Sequence, residues 1–72
     1  MRKENEYTAV VRQDGDWWIG WIEEVSGVNS QGETREELIS NLRSALREAL
    51  EFNREAALEE AGTDYAEELI SV

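Results

Sequence analysis

The chain has 72 residues, 17 of them Asp or Glu against seven Lys or Arg, for a net charge of −10, and it contains no Cys and no His. Disulfides are therefore excluded, the usual zinc and haem sites lose their ligands, and the surplus of carboxylates repels nucleic-acid phosphate while favouring a basic partner surface. A chain this short buries only roughly 60% of the surface its unfolded form exposes, so with no disulfide or metal staple the remaining support is self-association.

Residues 1–6 are charged and polar, which reads as a frayed lead-in rather than a signal segment, and no apolar run approaches the roughly 18 residues of a membrane span. The expected location is the cytoplasm, with no membrane contact. Residues 7–12, YTAVVR, are rich in β-formers and predict a first strand. Asp14 and Gly15 supply a short hairpin turn, and residues 17–22, WWIGWI, predict the returning strand. With Asp14 and Gly15 as the two turn residues, Arg12 faces Trp17, Val11 faces Trp18 and Ala9 faces Gly20. One face then carries Tyr7, Ala9, Val11, Trp18, Gly20 and Ile22, and is assigned to a covering helix. The other carries Thr8, Val10, Arg12, Trp17, Ile19 and Trp21, which is too apolar to be left to water. A three-residue turn would reverse the two faces.

Residues 23–27 form a turn region, and residues 28–31 predict a short third strand before Gly32 bends the chain into a helix. Thr34 is the expected N-cap, and Glu37, three residues on, completes a capping box by reaching back to the Thr34 N–H. Glu36 and Glu37 also suit the positive end of the helix dipole. From there Leu38, Ile39, Leu42, Ala45, Leu46, Ala49 and Leu50 fall on one stripe, with Ser40, Arg43, Ser44, Arg47, Glu48 and Glu51 opposite. Phe52, Ala56 and Ala57 continue the pattern, and Gly62 is a natural terminator, so the helix is expected to reach about Ala61. At 1.5 Å per residue such a helix is roughly 40 Å long, about twice a six-residue strand. Either it breaks near Asn53, or its far end overhangs the sheet and meets another subunit. Residues 65–72, YAEELISV, read either as a final strand or as a helical turn through Ala66 and Leu69. The organisation expected is one α+β domain over residues 1–72, β-β-β-α-β, with one long helix on one face of a small antiparallel sheet.

Catalysis is poorly provided for, and neither an enzyme nor a cofactor is expected. Without His or Cys, acid–base work falls to carboxylates, Tyr, Lys or Ser, and the acids lie mostly on turns or on the polar helix face. Asp14 with Asp16, and Glu23 with Glu24, are spaced to bind a divalent cation weakly, but turn-forming and solvated roles are far commoner for such pairs. There is no phosphate-binding glycine loop and no nucleophile elbow. Three Trp within residues 17–21 resemble a base-stacking platform, yet Arg12 is the one cation in the hairpin. Core and interface roles suit these Trp better. Arg43, Arg47 and Arg54 line one side of the helix with Glu36, Glu51 and Glu55 interleaved, the pattern of a solvated mixed-charge face.

The succession DGDWWIGWIEEVSGVNSQGETREELISNLRSALREAL resembles the HicB-like antitoxin family. The resemblance rests on a hairpin with an aromatic second strand, an acidic turn ending in Gly27, a Gln-Gly-x-Thr approach to the helix through Gly32 and Thr34, and Leu38, Asn41 and Leu42 on the helix. It covers roughly residues 7–52, and YAEELISV is similar to the terminal strand of short members. Prolines that the family often carries are replaced here by Glu23 and Ser26. The resemblance implies a truncated ribonuclease H-like fold that self-associates as a dimer or tetramer and neutralises a small basic HicA-type ribonuclease toxin by covering its RNA-binding surface. Longer members add a DNA-binding module that this chain has no room for, so direct DNA binding is not expected. The residues expected to meet the toxin are Trp17, Trp21, Glu23 and Glu24. Those expected to serve self-association are Trp17, Ile19, Trp21, Phe52, Ala56 and Leu58. The rival expectation is a stand-alone oligomeric structural or regulatory domain with no toxin partner.

Overall fold

The computed structural model describes residues 6–71; most of the expected lead-in, residues 1–5, and Val72 of the expected C-terminal strand lie outside the described residues. Three strands, β1 (Ala9–Asp14), β2 (Trp17–Ile22) and β3 (Asn29–Gly32), are followed by one helix, α1 (Arg35–Ala61). The sheet is antiparallel throughout, in the order β1-β2-β3, so the aromatic strand is central. This is an α+β arrangement of three strands and one long helix.

The hairpin register differs from the expected one. Asp14 pairs with Trp17, Arg12 with Ile19, Val11 with Gly20 and Ala9 with Ile22, which makes Gly15 and Asp16 the two turn residues. The reason is backbone conformation. Gly15 has φ +63°, whereas no residue other than glycine has positive φ among the described residues. A turn centred on Asp14 and Gly15 of the type favoured for Asx-Gly needs positive φ at both, while the alternative with glycine first needs it only at Gly15. Because every residue's partner shifts by two positions, partners change but faces do not. Ala9, Val11, Trp18 and Ile22 still pack toward the helix.

α1 runs antiparallel to β1. The Arg35 guanidinium stands 5.9 Å from the ring centre of Trp18, which pairs with the last part of β1, and fifteen residues later Leu50 lies beside Tyr7, just before β1 begins. The core consists of Leu38 and Leu42 from the helix with Ile22 and Val28 from the sheet side, bordered by Ala45, Leu46 and Ala49. Gly20 is what allows the close approach. A Cβ there would lie 2.7 Å from the Val10 carbonyl oxygen and 3.2 and 3.3 Å from methyls of Leu38 and Leu42. The third strand begins one residue later than expected, because Val28 is spent on the core and its carbonyl accepts from the Ile22 N–H at 3.1 Å.

The helix begins where its caps place it. Thr34 Oγ1 accepts from the Glu37 N–H at 3.0 Å, and the Glu37 carboxylate reaches back to the Glu33 N–H at 3.4 Å rather than to that of Thr34. At the far end the Gly62 N–H donates to the carbonyls of Leu58 and Glu59. There is no break at Asn53. The helix continues for 27 residues, and the half beyond Leu50 stands clear of the sheet. The expected terminal strand is corrected accordingly: residues 65–71 hold no regular structure and are exposed. The unbroken helix releases the chain roughly 16 Å beyond Leu50, and residues 65–68 turn back against Arg54, Leu58 and Ala61 rather than pairing in the sheet.

Candidate functional site

Alternation along β1 and β2 brings Val10, Arg12 and Asp14 out on the face away from α1, opposite Trp21, Ile19 and Trp17 in turn. Pairing of β2 with β3 adds Asn29 beside Trp21 and Gln31 beside Ile19. The result is a ridge of Trp17, Ile19 and Trp21, flanked by Val10 and Arg12 on one side and two carboxamides on the other. Trp17 and Trp21 are 44% and 42% exposed, whereas Trp18, on the opposite face, is half-buried against the core. An exposed indole is a large rigid surface with one N–H donor, suited to anchoring a partner.

Carboxylates stand at both ends of this ridge. Asp14 and Asp16 precede Trp17 at the hairpin tip, and Glu23 and Glu24 follow Ile22, all four exposed. The two glutamates differ in role. The Glu23 N–H donates to the Thr8 carbonyl at 3.0 Å, which continues the strand register and brings the Glu23 side chain out on the same face as Trp21. Glu24 Oε1 accepts from the Thr8 N–H at 2.7 Å and so fastens the start of β1. Of the four residues expected to meet a partner, Trp17, Trp21 and Glu23 share one face, and Glu24 is engaged in holding the fold.

The residues expected to serve self-association divide between two places. Trp17, Ile19 and Trp21 form the ridge. Phe52, 69% exposed, and Ala56, also exposed, lie on the free half of α1. Leu58 is half-buried and shares a shallow depression with Tyr65 and Ala66 from the segment that follows the helix.

Two features were not singled out from the sequence. Asn29 and Gln31 join the open face only through the β2–β3 register, and a short polar strand gives no alternation from which to assign its sides. The second is a groove between the edge of β1 and α1, lined by Tyr7, Ala9, Ile22, Leu46 and Leu50, with Arg43 and Arg47 at its rim. It exists because α1 leans over β2 and β3 and touches β1 least. Among the described residues, no group of three or more acidic side chains is placed to hold a metal ion, and no helix is long and apolar enough to cross a membrane.

Comparison with known proteins finds no family model, no curated protein and no solved structure that matches the chain.

Proposed function

We infer that this chain is a protein-binding domain of the HicB-like antitoxin type, which neutralises a small basic ribonuclease by covering its RNA-binding surface. The observation that carries the reading is the open sheet face: an exposed pair of indoles, Trp17 and Trp21, with carboxylates at both ends, on a chain of net charge −10. A ribonuclease presents cations to phosphate, and carboxylates compete for those same cations. Exposed ion pairs contribute only about 0 to 1 kcal/mol each, so charge gives fast encounter and the indoles supply the lasting anchor. The cytoplasm is the compartment where such a toxin acts. The same charge disfavours direct DNA binding. The finer architecture that goes with this reading is the truncated ribonuclease H-like β-β-β-α-β unit, self-associated as a dimer or tetramer.

The first test is whether a short basic chain is encoded beside this one, and the second is rapid-mixing kinetics with that chain across a salt series. Association slows steeply with added salt while dissociation changes little. Glu23→Lys lowers the association rate without unfolding the domain; Glu24 is avoided because it holds Thr8. A salt-independent association rate would remove the electrostatic part of the reading, and the absence of any complex would remove the reading itself. A second reading is favoured by the same exposed ridge together with Phe52: a stand-alone oligomeric domain whose Trp17, Ile19 and Trp21 meet a second copy. Sedimentation at micromolar concentration separates the two, since this second reading requires the ridge to be covered before any partner is added.

A further inference from the structure

One apolar stripe runs along α1 at coiled-coil spacing: Leu38, Leu42, Ala45, Ala49, Phe52 and Ala56 follow one another at steps of four and three. The sheet uses only its first part. Leu38 and Leu42 are fully buried, Ala45 and Ala49 are half-buried, Phe52 is 69% exposed and Ala56 is exposed as well. The helix nevertheless continues unbroken to Ala61, so the face that packs on the sheet emerges beyond it as a bare stripe. Helices this short are held in proteins mainly by packing of an apolar face, and the free half of α1 has such a face to offer.

Charge beside the stripe selects what covers it. Glu48 and Glu55 flank it on one side, Asn53 and Glu60 on the other, all of them exposed, and Glu59 follows at its end. Arg54 is the one cation between Glu51 and Ala61; it lies on the opposite side of the helix and pairs with Glu67 at 4.0 Å. A second copy therefore fits badly. Whether two such helices pair parallel or antiparallel, the flanking glutamates of one meet those of the other, and like charges in contact are unfavourable. A basic helix fits on both counts. Its apolar residues meet the stripe while its Lys or Arg side chains reach the glutamates, and the small Ala49 and Ala56 let its backbone come close on either side of Phe52.

We propose that Ala49, Phe52 and Ala56 form a docking stripe for a basic amphipathic helix of a partner protein, with Phe52 as the anchor and Glu48, Glu55 and Glu60 as the charge contacts. Exposed ion pairs contribute only about 0 to 1 kcal/mol each, so the glutamates choose the partner and the stripe holds it. The site lies on a different element from the Trp17–Trp21 ridge, and neither that ridge nor the toxin reading is needed for it. Phe52 and Ala56 thereby take a role other than self-association.

The test is a titration of the full chain, followed by amide NMR, with a synthetic helix of Leu and Lys at heptad spacing; circular dichroism first shows each variant to be folded. Shifts concentrate at the Ala49, Phe52 and Ala56 amides. A Leu–Lys chain of the same composition in scrambled order binds at least about tenfold more weakly, because its charge is equal and only its stripe is lost. Phe52→Ser and, separately, Glu55→Lys with Glu60→Lys each weaken binding by about tenfold or more, while the Trp17→Ser, Trp21→Ser double variant binds as the native chain does. Equal binding of the ordered and scrambled chains, or binding unchanged by Phe52→Ser, would overturn the proposal and leave only diffuse attraction between opposite charges. Self-association of the native chain that Phe52→Ser abolishes would assign the stripe to a second copy. Binding that appears only in an Arg2→Glu, Lys3→Glu variant would assign it to the chain's own basic lead-in. Either of these last two results overturns the claim of a partner's basic helix.

Discussion

The two faces of the sheet are built from the same two strands and serve opposite ends. Toward α1 stand Ala9, Val11, Trp18, Gly20 and Ile22, small and large residues set so that Leu38 and Leu42 sink fully out of water. Away from it stand Val10 and Ile19, half-buried, with Trp17 and Trp21 exposed. Hydrophobic character alone therefore does not tell which face holds the fold together. What separates the faces is the residue at the centre: Gly20 admits the helix on one side, whereas the other side carries the branched side chain of Ile19. A strand with three Trp is commonly a core strand, and here only Trp18 meets that description.

If the helix-covered face carries the stability, truncation there has the largest effect. Leu42→Ala removes a side chain 1% exposed and is expected to cost about 2 to 5 kcal/mol, enough to unfold most of so small a domain, as read by urea melts followed by far-UV circular dichroism. Filling the central gap acts in the opposite sense on the same contact. Gly20→Ala drives a methyl against the Val10 carbonyl oxygen, backbone that a side-chain rotation cannot relieve, and is expected to cost about 1 to 3 kcal/mol in the same melts. Thr34→Ala deletes the cap on the Glu37 N–H and is expected to cost about 1 kcal/mol. A melt in which Thr34→Ala is more damaging than Leu42→Ala would break the comparison by showing that α1 is not held by its buried stripe.

Much of this fold is legible in the sequence. The stripe from Leu38 to Leu50, the Thr34 cap, the Gly62 stop and the division of hairpin residues between faces all follow from local periodicity and local backbone chemistry, and the structure has them. The exact hairpin partners were not legible, because Asp-Gly and Gly-Asp are both acceptable turns in the stretch DGD, and only the sign of φ at Asp14 decides between them. The C-terminal segment was not legible either. Whether LISV pairs as a strand depends on how far an unbroken helix carries the chain from the sheet, a tertiary distance that no local pattern encodes. The candidate site was half visible: Trp17, Trp21 and Glu23 were chosen from the sequence. The engagement of Glu24 with Thr8, and the carboxamides of Asn29 and Gln31, needed the register of three strands.

The smallest expected effect on stability belongs to the open face. Trp17→Ser with Trp21→Ser removes two indoles, 44% and 42% exposed, that lie on the face away from the core cluster, and is expected to reduce stability in urea melts by about 1 kcal/mol or less in total. That contrast supplies the decisive measurement. Inhibition of the small basic ribonuclease that the proposed function requires, sought as a short basic chain encoded beside this one, is titrated with the native chain and with the Trp17→Ser, Trp21→Ser double variant, after both are shown to be folded by circular dichroism. The account predicts that the native chain inhibits and that the double variant is weaker by about 100-fold or more, as befits the loss of two aromatic anchors. Inhibition by the double variant at the native concentration would contradict it, and would move the binding surface off the open face of the sheet.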